Sequence, residues 1–398
     1  MKPLIALIAV LECGAANAQS LMSSVEPGGP LRLRPSDAAV LDVQEPRNDL
    51  SCSVTPSKPG LKLDFLFQAG YQVSIPLKQL AGAENILTIV LRVRSERHKD
   101  KPVYFVQKFR VPAIGNPSGD AFLNGAFRLG EGVYHVDWMM RDADELVCAR
   151  FWDVEAKVSG KDVALAQGLA QDLIQPVELT PFNEEAPIER QPIGRPLHVK
   201  VIINFAPQKF DAATLEHEDL QGLAAILRKI GRDPRIGTLS IVACSVRAQQ
   251  IVYRQRSATR IDLPALGQAL KPLNTASVDA KQLARKNGEA EFLAGLITEE
   301  TEEDHPDGLI LVSPKYPLSV PHETIERLRG FEYPVFYLNY SLDPYTDVWG
   351  DAVSRVVKQL HGFEYTISRP RDLFNAWSDI MSRLLKAKQP VGSMAAAH

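Results

Sequence analysis

The sequence predicts two domains of different class, an all-β sandwich followed by an α/β domain with a doubly wound, mostly parallel sheet. Three observations carry this. Apolar residues recur at every second position over residues 50–158. From Leu197 onward, strand-like runs alternate with helix-like ones. The interval between these regions is dense in proline. The chain has 398 residues, 45% hydrophobic and 23% charged, an ordinary globular composition with room for about two domains. A net charge of −3 gives no clustered positive field, so nucleic acid is not an expected partner.

The first element expected is an export signal over residues 1–18. Lys2 is positive, and Leu4 to Leu11 is an apolar run too short to span a bilayer. Ala16-Asn17-Ala18 has the small-x-small form of a cleavage site, with the cut near Gln19. Cys13 invites a lipid anchor, but Glu12 stands where a small residue is wanted. No later stretch is apolar enough to cross a membrane as a helix, so a periplasmic or extracellular location is expected. Residues 19–49, rich in Pro, Gly and Ser, read as an extended lead-in.

The sandwich is expected over 50–158. Leu61, Leu63, Phe65 and Phe67 alternate with Lys62, Asp64 and Leu66 as in a half-buried strand. Ile86 to Val93, Val103 to Val111, Gly132 to Met140 and Val147 to Val158 are further strands, spaced as in an all-β sandwich. Cys52 and Cys148 flank short apolar runs in the first and last strands. In an oxidising compartment they are expected to form a disulfide closing a loop of about a hundred residues, worth on the order of 4 kcal/mol. The alternative is two free buried thiols.

Residues 159–194 read as a proline-rich linker, with Pro176, Pro181, Pro187 and Pro192 favouring a stiff, extended connector and a short helix allowed over Val163 to Ile174. In the α/β domain, 195–388, strands are expected at Leu197 to Asn204, Thr238 to Cys244, Gln249 to Arg254, Gly308 to Val312, Tyr333 to Asn339 and Phe363 to Ile367. The first helix places Leu220, Leu223, Ala224, Leu227 and Ile230 on one face, and Gly231 and Pro234 stop it. Further helices are expected near 262–271, 277–297, 321–329, 346–361 and 370–385. Residues 389–398 read as a disordered tail.

Leu129 to Trp138 resembles the G-x-Y-x-C stretch of immunoglobulin-like domains, in which the tyrosine hydroxyl pins a corner. Tyr134 is that tyrosine, and Val136 stands at the cysteine position. The element order over Leu197–Leu385, with Val199 to Asn204 as first strand and Phe363 to Ile367 before the last helix, resembles a von Willebrand factor type A domain. The layout is also similar to exported bacterial proteins that carry a β-rich domain in front of such a fold. The resemblance implies a divalent-metal site at the carboxyl end of the first strand, built on D-x-S-x-S and a later T-D-G. Here Asn204 replaces the aspartate, Ala206 and Gln208 replace the serines, and Ser313-Pro314-Lys315 occupies the T-D-G place. Without those carboxylates a hard Mg²⁺ lacks its oxygen ligands. No metal and no other cofactor is expected.

Other candidate chemistry reads as structure. The acidic run Thr298 to Asp307 reads as a solvated helix end, and Glu216 to Asp219 as the polar entry of a helix. Cys244 reads as a core thiol, with nothing placing His322 beside it. Tyr340 and Tyr345 are expected on a loop at the carboxyl end of a strand, either as a contact surface or in local packing. The functional expectation is a secreted, non-enzymatic binding or scaffold protein for a protein or cell-surface ligand. It would act through Asn204, Ala206, Gln208, Ser313, Lys315, Tyr340 and Tyr345. The alternative is an exported α/β hydrolase-like enzyme, against which the lack of a G-x-S-x-G elbow counts.

Overall fold

The computed structural model describes residues 20–22, 33–115, 117–177, 181–190, 196–209, 212, 214–272, 287–302, 304–317, 320–326, 328, 331–342 and 350–387. The expected signal and tail lie outside the described residues. The chain forms two compact units, Met1–Leu179 and Thr180–His398. No described helix is long and apolar enough to cross a membrane.

The first unit consists of β1 (Ser20–Met22), α1 (Pro35–Val43), β2 (Arg47–Asn48), β3 (Ser53–Leu61), β4 (Phe67–Pro76), β5 (Asn85–Ser95), β6 (Val103–Val111), β7 (Asp120–Leu129), β8 (Gly132–Arg141), β9 (Val147–Ala156) and β10 (Ile174–Pro176). One antiparallel sheet runs β1-β6-β5-β8-β9-β2 and the other β10-β7-β4-β3. Alternate residues meet in one core: Ile89, Leu91, Tyr134 and Trp138 from the first sheet face Tyr71, Val73 and Phe127 from the second. The Tyr134 hydroxyl donates to the Gly130 carbonyl at 2.9 Å, tying the β7–β8 corner. Cys52 and Cys148 form a disulfide, with Cα atoms 6.3 Å apart. It joins the start of β3 to β9 and so links the two sheets.

Three expectations change here. The supposed strand over Leu61 to Phe67 is a hairpin turn. Phe65 has φ +62°, its N–H donates to the Lys62 carbonyl, and the Asp64 carboxylate accepts from Leu66 N–H. Asp64 thus offers the backbone a turn in place of the ladder. The lead-in is not simply extended, because it contains α1, with Pro35 in its first turn. Leu41 packs with Val90, Val106 and Met139 on the outer face of the larger sheet, and Arg141 Nε donates to Asp37 at 2.8 Å. The linker also divides. Residues Gly160–Gly168 form 3₁₀ turns, β10 pairs with β7, and only the part beyond residue 180 belongs to the second unit.

The second unit contains β11 (Leu197–Asn204), α2 (His217–Gly231), β12 (Ile236–Ser245), β13 (Gln250–Ala258), α3 (Leu263–Leu270), α4 (Gly288–Glu302), β14 (Gly308–Pro314), α5 (His322–Glu326), β15 (Val335–Tyr340), α6 (Ala352–Gln359), β16 (Phe363–Ile367) and α7 (Pro370–Ala387). Its sheet runs β13-β12-β11-β14-β15-β16, parallel except for the β12–β13 pair. β14 and β15 are buried along their whole length, as parallel strands covered on both faces must be. On one face Ile202, Leu309 and Leu311 pack with Leu293 and Ile297 of α4 and Val356 of α6. On the other, Leu384 of α7 lies over Gly308, where a Cβ would come within 2.3 Å of it. Of the helix expected over 277–297, residues 277–286 lie outside the described residues.

The acidic run Thr298 to Asp307 is solvated only in part: Glu299, Glu302 and His305 are exposed, but Glu300 is buried. Lys200, in the middle of β11, is 3% exposed and pairs with Glu300, also 3% exposed, at 2.6 Å. Glu300 also accepts from Arg254 Nε at 2.7 Å. One turn on, Asp304 lies 3.0 Å from His198 Nε2, and Asp307 accepts the His198 N–H at 2.6 Å. The run supplies counter-charges for the amino-terminal half of β11.

Two measurements check these ties. Replacing both Cys52 and Cys148 with Ala is expected to lower stability by about 4 kcal/mol through lost loop-closure constraint. A urea midpoint indifferent to both the substitutions and reductant would mean the bond contributes nothing. Lys200→Met strands the buried Glu300 charge with Arg254 alone, at an expected loss of about 3 kcal/mol. Adding Glu300→Gln is expected to recover part of that loss in the same urea titration. A double variant weaker than the single would contradict the pairing.

Candidate functional site

The carboxyl end of the parallel sheet is set by strand register. Asn204 stands beside Cys244 of β12, Ser313 beside Asn339, and Asn339 beside Thr366. Residues two apart share a face, so β11 presents His198, Lys200, Ile202 and Asn204 to the side covered by α4 and α6. The polar row thus crosses the sheet where the apolar core ends.

Asn204 is 4% exposed and acts as a latch. Its Nδ2 donates to Ser313 Oγ at 3.0 Å, and its Oδ1 accepts the Val246 N–H at 3.0 Å. The Ser313 hydroxyl donates onward to the Pro314 carbonyl at 2.7 Å. One amide therefore holds β11, β14 and the turn after β12 together. A carboxylate at this position has no proton to give Ser313, so the asparagine suits a closed junction.

Gln208 makes a second latch. Its backbone N–H and Nε2 both donate to Asp219 Oδ1, and its Oε1 accepts from Leu342 N–H. Asp219 Oδ2 accepts the Glu216 N–H at 2.9 Å, completing a capping box at the start of α2. The polar cluster Glu216 to Asp219 is thus a helix entry, as its sequence implies. Ala206 is buried, with its carbonyl accepting from the Tyr340 hydroxyl at 3.4 Å.

Tyr340 takes the packing alternative, and it does so from the strand and not from the loop. It is the last residue of β15, fully buried, and burial holds its phenol well above the ordinary range. Its ring is inside because strand alternation continues through Tyr340 and gives it a backbone partner to reach. It offers no exposed contact surface. Tyr345 lies outside the described residues. Lys315 is half-buried at the rim. Of the seven positions singled out in the sequence, the structure brings Asn204 and Ser313 into direct contact. Ala206 and Tyr340 join through a backbone carbonyl.

Asp351 belongs to the same rim. Its carboxylate accepts from the Tyr337 hydroxyl at 2.8 Å, from Tyr316 N–H, and from Val353 N–H at the start of α6. Burial raises its pKa. Asn339, fully buried, donates to Glu364 Oε1 at 3.2 Å, and the Ser354 hydroxyl donates to Glu364 Oε2 at 2.6 Å. The helix expected over 346–361 put Asp351 inside it, whereas Asp351 caps α6. The Asn339–Glu364 contact depends on register between strands.

Neither Cys244 nor His322 is placed for nucleophilic catalysis. Cys244 is buried and its thiol is pushed up to about 12 by burial, far from a reactive thiolate. His322 sits on an exposed helix, paired with Glu326 at 3.1 Å. Among the described residues no group of three or more His, Cys, Asp or Glu is arranged to hold a metal ion.

No protein-family model matches the chain, and no curated protein sequence matches it. Similar solved structures include a variant of the PilB minor pilin from Streptococcus sanguinis, at 10% identity and a TM-score of 0.30, covering 79% of this chain and 91% of that one. Another is a β-glucuronidase from Bacteroides uniformis, at 10% identity and a TM-score of 0.19, covering 78% of this chain and 38% of that one. Likenesses of this size assign neither a fold nor an activity.

Proposed function

We propose that the protein is an exported, non-enzymatic binding or scaffold protein. In this reading the second unit is a doubly wound domain of type A kind. Its carboxyl-end loops make protein–protein contacts without a metal ion. The observation that carries the reading is the Asn204–Ser313 latch, at 3.0 Å. Counted within the unit, the strand order is 3-2-1-4-5-6. In sheets of that order ligands favour the carboxyl-end crevice where the order reverses, here between β11 and β14. An adhesive metal site needs carboxylate oxygens and an open coordination position there. The crevice instead holds a neutral amide and a hydroxyl bound to each other. Contact then falls to the rim around the latch, where Lys315 is half-buried and Lys209 is exposed. The Cys52–Cys148 bond supports an oxidising compartment and hence export.

Calorimetric titration of the full chain with Mg²⁺, Mn²⁺ and Ca²⁺ is expected to give no saturable binding. Micromolar binding that Asn204→Ala abolishes would overturn the metal-free reading. Asn204→Asp is expected to destabilise by about 2 kcal/mol, since Ser313 loses its donor and a charge is buried. Added Mg²⁺ is expected to leave that loss in place. Pull-down from a periplasmic or extracellular fraction is expected to return a partner whose capture falls with Lys315→Glu. Repeated failure to capture one counts against the binding role itself.

A further inference from the structure

The connector segment 181–190 lies on the second unit as a bound peptide would. At its start Phe182 is 8% exposed. It packs against Phe205 with ring centroids 6.3 Å apart and sits over Gly267, where a Cβ would come within 2.8 Å of the Phe182 Cβ. Glu185 receives Arg232 through two nitrogens, at 3.1 and 2.7 Å, and Arg228 at 2.8 Å. Glu184 pairs with Arg260 at 3.2 Å. At the far end Arg190 donates to the Asp233 carbonyl at 2.7 Å and to the Thr259 carbonyl. The belt therefore runs from the carboxyl end of β11 to the turn before β12, between α2 and α3.

Three features distinguish this from a linker lying on a surface. The chemistry is residue-specific: an aromatic anchor in a notch that only glycine leaves open, then a carboxylate in a bidentate guanidinium fork. It is extended by composition, with Pro181 and Pro187, which lowers the ordering cost of binding. The groove is also not filled. A cavity of about 360 Å³ remains beside the belt, lined by the apolar Ile188, Leu227 and Pro264 and by the charged Glu185, Arg190 and Arg228. The groove thus accepts an extended acidic chain and has further space, part apolar and part charged, for a larger one.

We propose that the groove between α2 and α3 is a recognition site for an extended acidic peptide of Phe-x-Glu-Glu character on a partner protein, and that residues 182–190 occupy it in cis as a tethered competitor. Apart from the Phe182 anchor on Phe205, this site lies along α2 and α3 and away from the Asn204–Ser313 latch, and its test reads it independently of the proposed function. A short tether gives the belt an effective concentration in the millimolar range, so a partner peptide of equal intrinsic affinity is held off at micromolar concentration. A partner with additional apolar side chains for the cavity displaces it.

The probe is a fluorescein-labelled synthetic peptide with the sequence of residues 181–190, measured by fluorescence anisotropy against the full chain. Wild type is expected to bind it at least tenfold more weakly than a Phe182→Ala/Glu185→Gln variant whose belt is loosened. Adding Arg232→Glu to that variant is expected to abolish binding, and a peptide carrying Glu185→Gln is expected to bind at least tenfold more weakly. Far-ultraviolet dichroism and the urea midpoint report whether the variants are folded. A folded, loosened variant that takes up no peptide overturns the proposal, as does uptake indifferent to Arg232→Glu. Should the loosened variant fail to fold, wild type decides. Millimolar unlabelled peptide is expected to accelerate amide hydrogen exchange within residues 183–190, and unchanged exchange overturns the proposal.

Discussion

A lysine ammonium in the central strand of a sheet covered on both faces must be matched inside the protein. Leaving Lys200 or Glu300 unmatched would strand an ion in a medium where water cannot reach it. The consequence extends along β11. Residues sharing its face change from charged at the amino end (His198, Lys200) through apolar (Ile202) to a neutral amide (Asn204). Each chooses its own cover: the acidic end of α4 for the first pair, the apolar face of α4 for Ile202, and Ser313 with the turn after β12 for Asn204. A slip of one residue would turn all four side chains to the opposite face. The buried pair therefore fixes register, and register places the polar row across the carboxyl end.

That row is why the candidate site reads as a junction. Asn204, Gln208 and Asp351 each spend their polar atoms on backbone or side chains of other elements. A group so engaged is costly to recruit for a ligand, because each broken hydrogen bond leaves a buried partner without one. The rim outside the row is less closed: Lys315 is half-buried, while Lys209 is exposed and pairs with Glu216 at 3.0 Å. In the proposed reading contact is left to the loops around this closed interior, because a ligand at Asn204, Gln208 or Asp351 would have to break these hydrogen bonds.

Period and punctuation made the strands of the second unit, most helices and the strands β5, β6, β8 and β9 of the sandwich legible, while β3, β4 and β7 of its second sheet went unread. Leu220 to Ile230 with Gly231 described α2, and the valine- and isoleucine-rich runs described β11, β12 and β14. What stayed hidden depends on partners distant in sequence. Lys200 looked like one polar residue in an apolar strand because Glu300 lies a hundred positions away. Tyr340 looked like a loop tyrosine because the residues after it are turn formers, yet the strand pairs through it with Ile367. The turn at Phe65 was masked by apolar residues that happen to alternate, where the deciding group was the Asp64 carboxylate. α1 was masked by prolines, one of which opens the helix. At the candidate site the sequence located Asn204 and Ser313, while their mutual hydrogen bond is a property of the folded sheet.

Proline density pointed to an extended connector and was silent on what the connector lies against. Proline restricts φ but does not decide what an extended chain lies against. That is decided here by Phe182, Glu185 and Arg190. The hold is moderate in strength. Burying a phenylalanine contributes about 2–3 kcal/mol, and exposed ion pairs such as Glu184–Arg260 contribute about 0–1 kcal/mol each. The Glu185 fork, partly shielded at 21% exposure, lies above that range, and ordering the backbone opposes them all. A net hold of this kind keeps a tethered segment in place against weak competitors and yields to a better-matched one. A permanent structural belt would instead draw on backbone pairing, as β10 does with β7 in the half of the same connector that belongs to the sandwich.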